Sequence, residues 1–167
     1  MPPDDAAHAG GWSGRHDHET CIADALSRAE EICRVRGTRL TALRRRVLEL
    51  IWSSHRPVGA YAVLSALRDE RETAAPPTVY RALDFLIEQG LVHRIQSLNA
   101  FVGCREPDHA HNGVFLICGE CGDALEIEDQ TLDDAIRGAA RVHGFALQRR
   151  TVEATGTCPG CARGKDA

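Results

Sequence analysis

Through its first half the chain repeats apolar residues at three- and four-residue intervals, the period of a helix with one buried face. In TCIADALSRAEEICRVRG the apolar positions are Ile22, Leu26, Ala29, Ile32 and Cys33, and Gly37 supplies an end. TALRRRVLELIWSSH repeats Leu43, Val47, Leu50 and Ile51 behind Thr41, whose hydroxyl suits a helix N-cap. AYAVLSALRDER predicts a third, short amphipathic helix. APPTVYRALDFLIEQG predicts a fourth, with Pro76 and Pro77 in its first turn and Gly90 at its end. The period then shortens. LVHRIQSLNAFVGC reads as two strands around a turn near Ser97–Asn99. Three or four helices followed by a hairpin make a winged helix-turn-helix.

Beyond Cys104 a polar loop, REPDHAHNG, leads into a different rhythm. VFLIC and ALEIE predict strands, QTLDDAIRGAARVHG a helix, and FALQRRTVEATG a strand of loose alternation. The expected fold class is therefore α+β, an N-terminal winged helix-turn-helix followed by a small α/β domain. Residues 1–18, rich in Gly, Asp and His, are expected to form a disordered tail. The winged helix is expected over 19–104 and the α/β domain over 105–167. There is no internal repeat.

Charge sharpens this division. The net charge of −4 conceals eleven Arg against six acidic residues over 28–81, and eight basic against thirteen acidic residues over 82–167. A basic half beside an acidic one points to nucleic acid as the partner of the first. No apolar run approaches the length of a membrane span, and the N-terminus lacks the pattern of a secretory signal, so a cytoplasmic location is expected. In a reducing compartment the seven cysteines read as metal ligands or free thiols before disulfides.

Four of those cysteines form two C-x2-C pairs, Cys118/Cys121 and Cys158/Cys161. One tight turn can offer two sulfurs to a single zinc ion, and two such turns complete a tetrahedral site that staples a small domain. The rival reading is redox chemistry. Neither pair opens a helix near an initial βαβ pattern, which weighs against a thioredoxin-like site. A second group of potential zinc ligands comprises His93, Cys104, His109, His111 and Glu126, a mixed N, S and O set drawn from separate segments. Singly, each has a plainer explanation as a surface residue or small core hydrophobe. The fourth helix presents Thr78, Tyr80 and Arg81 in its first two turns, where a recognition helix enters the major groove. Tyr61 could hold the phosphate backbone, and Arg39, Arg44, Arg45 and Arg46 would supply a nonspecific positive field.

Together, AEEICRVRGTRLTALRRRVLELI, PPTVYRALDFLIEQGLVHRIQS, FVGC, the HAH loop, FLICGECGDALEIE and CPGC resemble the ferric uptake regulator family, nearest its zinc uptake regulator branch. The resemblance runs from about residue 25 to 161. It implies a homodimeric, metal-dependent transcriptional repressor, with a C-terminal dimerisation domain, and not an enzyme. It implies a regulatory zinc site of His93, Cys104, His111 and Glu126, with His109 as a rival ligand, and so two zinc ions per chain. Cys104 favours zinc over iron because thiolate suits the softer ion. The expected partners are double-stranded operator DNA and a second copy of the chain, with no membrane and no small-molecule substrate. The expected function is repression of zinc-uptake genes by the zinc-loaded dimer. The alternative is a family regulator answering to another metal, or to oxidant through its cysteines. Three departures stand out. T-A-L-R replaces the usual T-P-x-R at Thr41–Arg44, Asp133 and Arg150 stand where a third metal site would be, and Ser65 faces Arg68 in place of an acid.

Overall fold

The computed structural model describes residues 18–54, 56–70, 75–108, 113–148 and 150–165. Residues 1–17 of the expected tail, together with His109 and His111, lie outside them. The fold is mixed α+β, and it divides into two compact units, Met1–Ala110 and His111–Ala167.

The first unit is built from α1 (His18–Val35), α2 (Ala42–Trp52), β1 (Val58–Gly59), α3 (Ala60–Glu70), α4 (Pro76–Glu88), β2 (Val92–Ile95) and β3 (Ala100–Gly103). The helical period buries one face of each helix. Leu26, Ala29, Ile32 and Cys33 of α1 meet Val47, Leu48 and Ile51 of α2, Val63, Leu64 and Leu67 of α3, and Val79, Leu83 and Leu86 of α4. Thr41 caps α2 as its sequence suggests, its side chain accepting the Arg44 amide N–H at 3.4 Å. The strands form an antiparallel sheet in the order β1-β3-β2, with Val92 opposite Gly103 and Ile95 opposite Ala100. Asn99, at φ 46°, turns this hairpin, and its side-chain oxygen accepts from Arg94 at 2.7 Å. The two-residue β1 was not predicted, because two residues carry no period. Gly103 admits no side chain: a Cβ there would lie 2.3 Å from the Trp52 ring.

The second unit contains β4 (Val114–Cys118), β5 (Ala124–Ile127), α5 (Gln130–Val142), β6 (Val152–Gly156) and α6 (Pro159–Lys165). Its sheet runs β5-β4-β6; β4 pairs antiparallel with β5 and parallel with β6, which α5 returns to the start of the sheet. The strand expected from Phe145 begins only at Val152. Val152 pairs with Val114, the first residue of β4, so among the described residues those before Val152 have no strand beside them. Instead, Arg150 turns inward to an ion pair with Asp133, its side chain 6% exposed. None of α5 is buried, although its apolar residues keep a helical period. Val142 is 82% exposed and Phe145, just beyond the helix, 64%.

Candidate metal centre and nucleic-acid interface

The parallel pairing of β4 and β6 fixes the place of the cysteine cluster. Cys118, the last residue of β4, pairs with Gly156, the last of β6, so both strands end together and each runs straight into a C-x2-C turn. Gly119 clasps the two ends by donating to the Gly156 carbonyl at 2.9 Å. In the first turn, Gly122 donates to the Cys118 carbonyl at 2.9 Å with φ 73°, a left-handed conformation that a side chain would strain. The second turn opens α6. Pro159 occupies its first position, and Cys158 Sγ accepts the Cys161 amide N–H at 3.4 Å. Cys158 thus precedes a short helix at the end of the second unit, one that the sequence reading did not include, its seven residues holding two Gly and a Pro. The Gly156 contribution was also missed; strand register is not written in a single glycine.

All four sulfurs lie within 4.8 Å of one another, and those of Cys121 and Cys158 are 3.9 Å apart. Four sulfurs at roughly 2.3 Å from one tetrahedral ion would stand roughly 3.8 Å apart, so the donor set and its spacing fit zinc. The pairs are also interleaved across the two turns, since Cys158 donates its amide N–H to Cys118 Sγ at 3.3 Å. Backbone N–H groups of Cys121 and Cys158 directed at this sulfur lower the Cys118 thiol to about 6. The neighbouring Cys158 sulfur, followed by burial, pushes Cys161 up to about 12. One site therefore holds both a ready thiolate and a reluctant one, as expected where sulfurs crowd together to share a cation.

The mixed set is distributed over both units. In the first, His93 lies on β2 opposite Val102, and buried Cys104 follows β3, its amide N–H donating to the Leu91 carbonyl at 2.9 Å. A ring nitrogen of His93 and the Cys104 sulfur lie within 4.8 Å of each other, a spacing that suits two ligands of one ion. In the second, Glu126 lies on β5 opposite Phe115. The positions of His109 and His111 fall outside the described residues.

On α4, Thr78, Tyr80 and Arg81 are exposed around the buried row of Val79, Ala82 and Leu83. Tyr61 at the start of α3 is 80% exposed. The N-terminus of α4 offers few backbone donors: Pro76 and Pro77 have none, and Thr78 and Val79 already donate to the Ala75 carbonyl at 3.0 and 3.3 Å. Recognition from this end thus falls to side chains. The expected arginine field is thinner than the sequence suggests. Arg45 is paired with Glu30 at 2.9 Å, and Arg46 with Glu49 at 2.8 Å and with Glu70. Arg44 is half-buried, its guanidinium 3.5 Å above the Phe85 ring and bonded to the Arg39 carbonyl at 2.7 Å. Arg39 itself is exposed.

Among the described residues, no helix is long and apolar enough to cross a membrane. The chain matches the Ferric uptake regulator family over residues 35–155. It is 40% identical to the zinc uptake regulation protein of Escherichia coli (strain K12) over 144 residues, covering 86% of this chain and 84% of that one. It is 30% identical to the zinc uptake regulation protein of Mycobacterium tuberculosis (strain ATCC 25618 / H37Rv) over 128 residues, covering 75% and 95%. A solved structure of a zinc uptake regulator complexed with zinc and DNA matches with a TM-score of 0.84 and 39% identity, over 87% of this chain and 98% of that one. With its family match spanning most of its length, the chain belongs to the ferric uptake regulator family.

Proposed function

We propose that this chain is a zinc-responsive transcriptional repressor whose zinc-loaded homodimer binds operator DNA and represses zinc-uptake genes in the cytoplasm. The observation that carries this reading is its likeness, over 87% of its length, to a regulator complexed with zinc and DNA. Cys118, Cys121, Cys158 and Cys161 take the structural role, closing the ends of β4 and β6. His93, Cys104, His111 and Glu126 take the regulatory role, with His109 as the rival to His111, giving two ions per chain. With four protein ligands each, both sets would be full, as suits a regulator. A bound ion supplies a cross-link among these donors, no more.

The remaining work belongs to the chain's own residues. Tyr61, Thr78, Tyr80 and Arg81 face outward for the operator, Arg81 being suited to a guanine edge or phosphate and Thr78 to either. Residues 19–104 serve as the winged helix and 105–167 as the dimerisation part, beyond a tail of residues 1–18. The exposed apolar run of α5 with Phe145 supports a second copy as its cover. Metal occupancy shifts the population toward dimers whose two α4 helices match a two-fold operator.

The test is zinc content per chain for wild type and Cys104→Ser, with operator binding measured under buffered zinc. The expected result is about two ions falling to about one, with zinc-dependent DNA binding lost. A variant that keeps the wild-type zinc content and DNA binding would remove Cys104 from the sensing site.

A further inference from the structure

Arg44 sits on α2 among four arginines within the eight residues 39 to 46, where a phosphate contact is the natural expectation. Its geometry points elsewhere. The flat face of the guanidinium covers the Phe85 ring at 3.5 Å, and one edge donates to the Arg39 carbonyl at 2.7 Å. Its backbone is engaged as well, since the Arg44 amide N–H is the one that Thr41 caps. One residue therefore touches three things: the cap of α2, the loop that enters α2, and the buried aromatic ring of α4.

Phe85 belongs to α4, the helix that carries Thr78, Tyr80 and Arg81, and is 9% exposed. The N-terminus of α4 has no side-chain cap, and its first two residues are prolines. Its first turn is thus set mainly by φ restriction and by packing further along. A cation held flat against Phe85 restrains the rotation of that helix about its axis, because the ring is gripped from α2 while Val79, Leu83 and Leu86 seat the buried row.

We propose that Arg44 is a positioning residue, which brackets the recognition helix to the entry loop of α2 through Phe85 and the Arg39 carbonyl, in place of a contact to phosphate. The inference rests on the DNA-binding reading above. Lysine replaces arginine poorly in the bracket, since a compact, strongly hydrated ammonium lacks the planar face that stacks on the ring while its edge donates to the carbonyl. At a phosphate contact, by contrast, lysine serves as a point charge nearly as well.

Charge and position are separated by salt. Operator binding of the zinc-loaded wild type, Arg44→Ala, Arg44→Lys and Arg81→Ala is measured across a series of salt concentrations. A lost phosphate contact lowers the slope of log affinity against log salt by about one; a lost bracket leaves the slope and weakens binding at every salt. Both Arg44 variants are expected to lose roughly tenfold in affinity at unchanged slope. The same substitutions in a Phe85→Leu background are expected to cost little more, because the ring they act through is gone. In the DNA-free protein, ring current moves the Arg44 Nε–H proton resonance upfield, and Phe85→Leu returns it. Recovery of affinity in Arg44→Lys, a slope reduced by about one, or an Nε–H resonance at its ordinary position would each overturn the inference while leaving the DNA-binding reading intact. A zinc-loaded wild type without operator binding would overturn that reading, and this inference with it.

Discussion

At the scale of single residues, the cysteine cluster shows how much chemistry spacing alone can encode. Two C-x2-C pairs have few uses in a reducing compartment, and the sulfurs do gather within 4.8 Å. Acid should weaken this site in a defined way. Above a pH of about 6 Cys118 is a thiolate and costs no proton on metal binding; below it, zinc must displace that proton too. The slope of log zinc affinity against pH, measured by competition with a chelator, is therefore expected to steepen by about one as pH falls through that value. A slope that does not change there would mean that Cys118 is not poised as its amide donors imply. The role of Arg44 was not legible in the same way. Its neighbours in sequence are arginines, and the ring that defines its position lies on another helix, so only tertiary structure distinguishes it from Arg39.

At the scale of elements, the long helices were readable because eleven or more residues give a period time to repeat. β1 and α6 were not, being two and seven residues long. The stretch before Val152 alternated loosely enough to pass for strand, yet among the described residues the pairing of β4 begins only at Val114 with Val152. α5 is the element whose surroundings are most informative. It has a strong apolar face, a cap in which the Asp129 carboxylate accepts the Leu132 amide N–H at 3.0 Å, and no buried residue. Helices of this length owe most of their stability to packing, so the exposed Val142 and Phe145 call for a cover. If a second copy is that cover, Val142→Asp combined with Phe145→Asp is expected to leave the fold intact and weaken self-association at least tenfold in sedimentation. A variant still dimeric at low micromolar concentration would place the interface elsewhere.

At the scale of the molecule, the sequence foretold the order of parts, while register and the ends of strands needed the structure. Metal and operator, if coupled, must be coupled in both directions. Zinc is therefore expected to bind more tightly when operator DNA is present, by the same factor by which zinc tightens DNA binding. Equal zinc affinity with and without DNA would remove the population shift from the mechanism. The clasp between the ends of β4 and β6 carries one more consequence, and it concerns time. Thirty-six residues separate the two cysteine pairs. At roughly 5–20 residues per second of synthesis, the first pair waits roughly two to seven seconds for its counterpart. In the folded chain the last two sulfurs reach the site from the end of β6 where it lies along β4, so a closed site means that translation has passed Cys161 and that the sheet is complete. A chain interrupted in that interval carries a bidentate thiol hook and an unpaired edge on β4, a row of free backbone groups open to pairing with another strand.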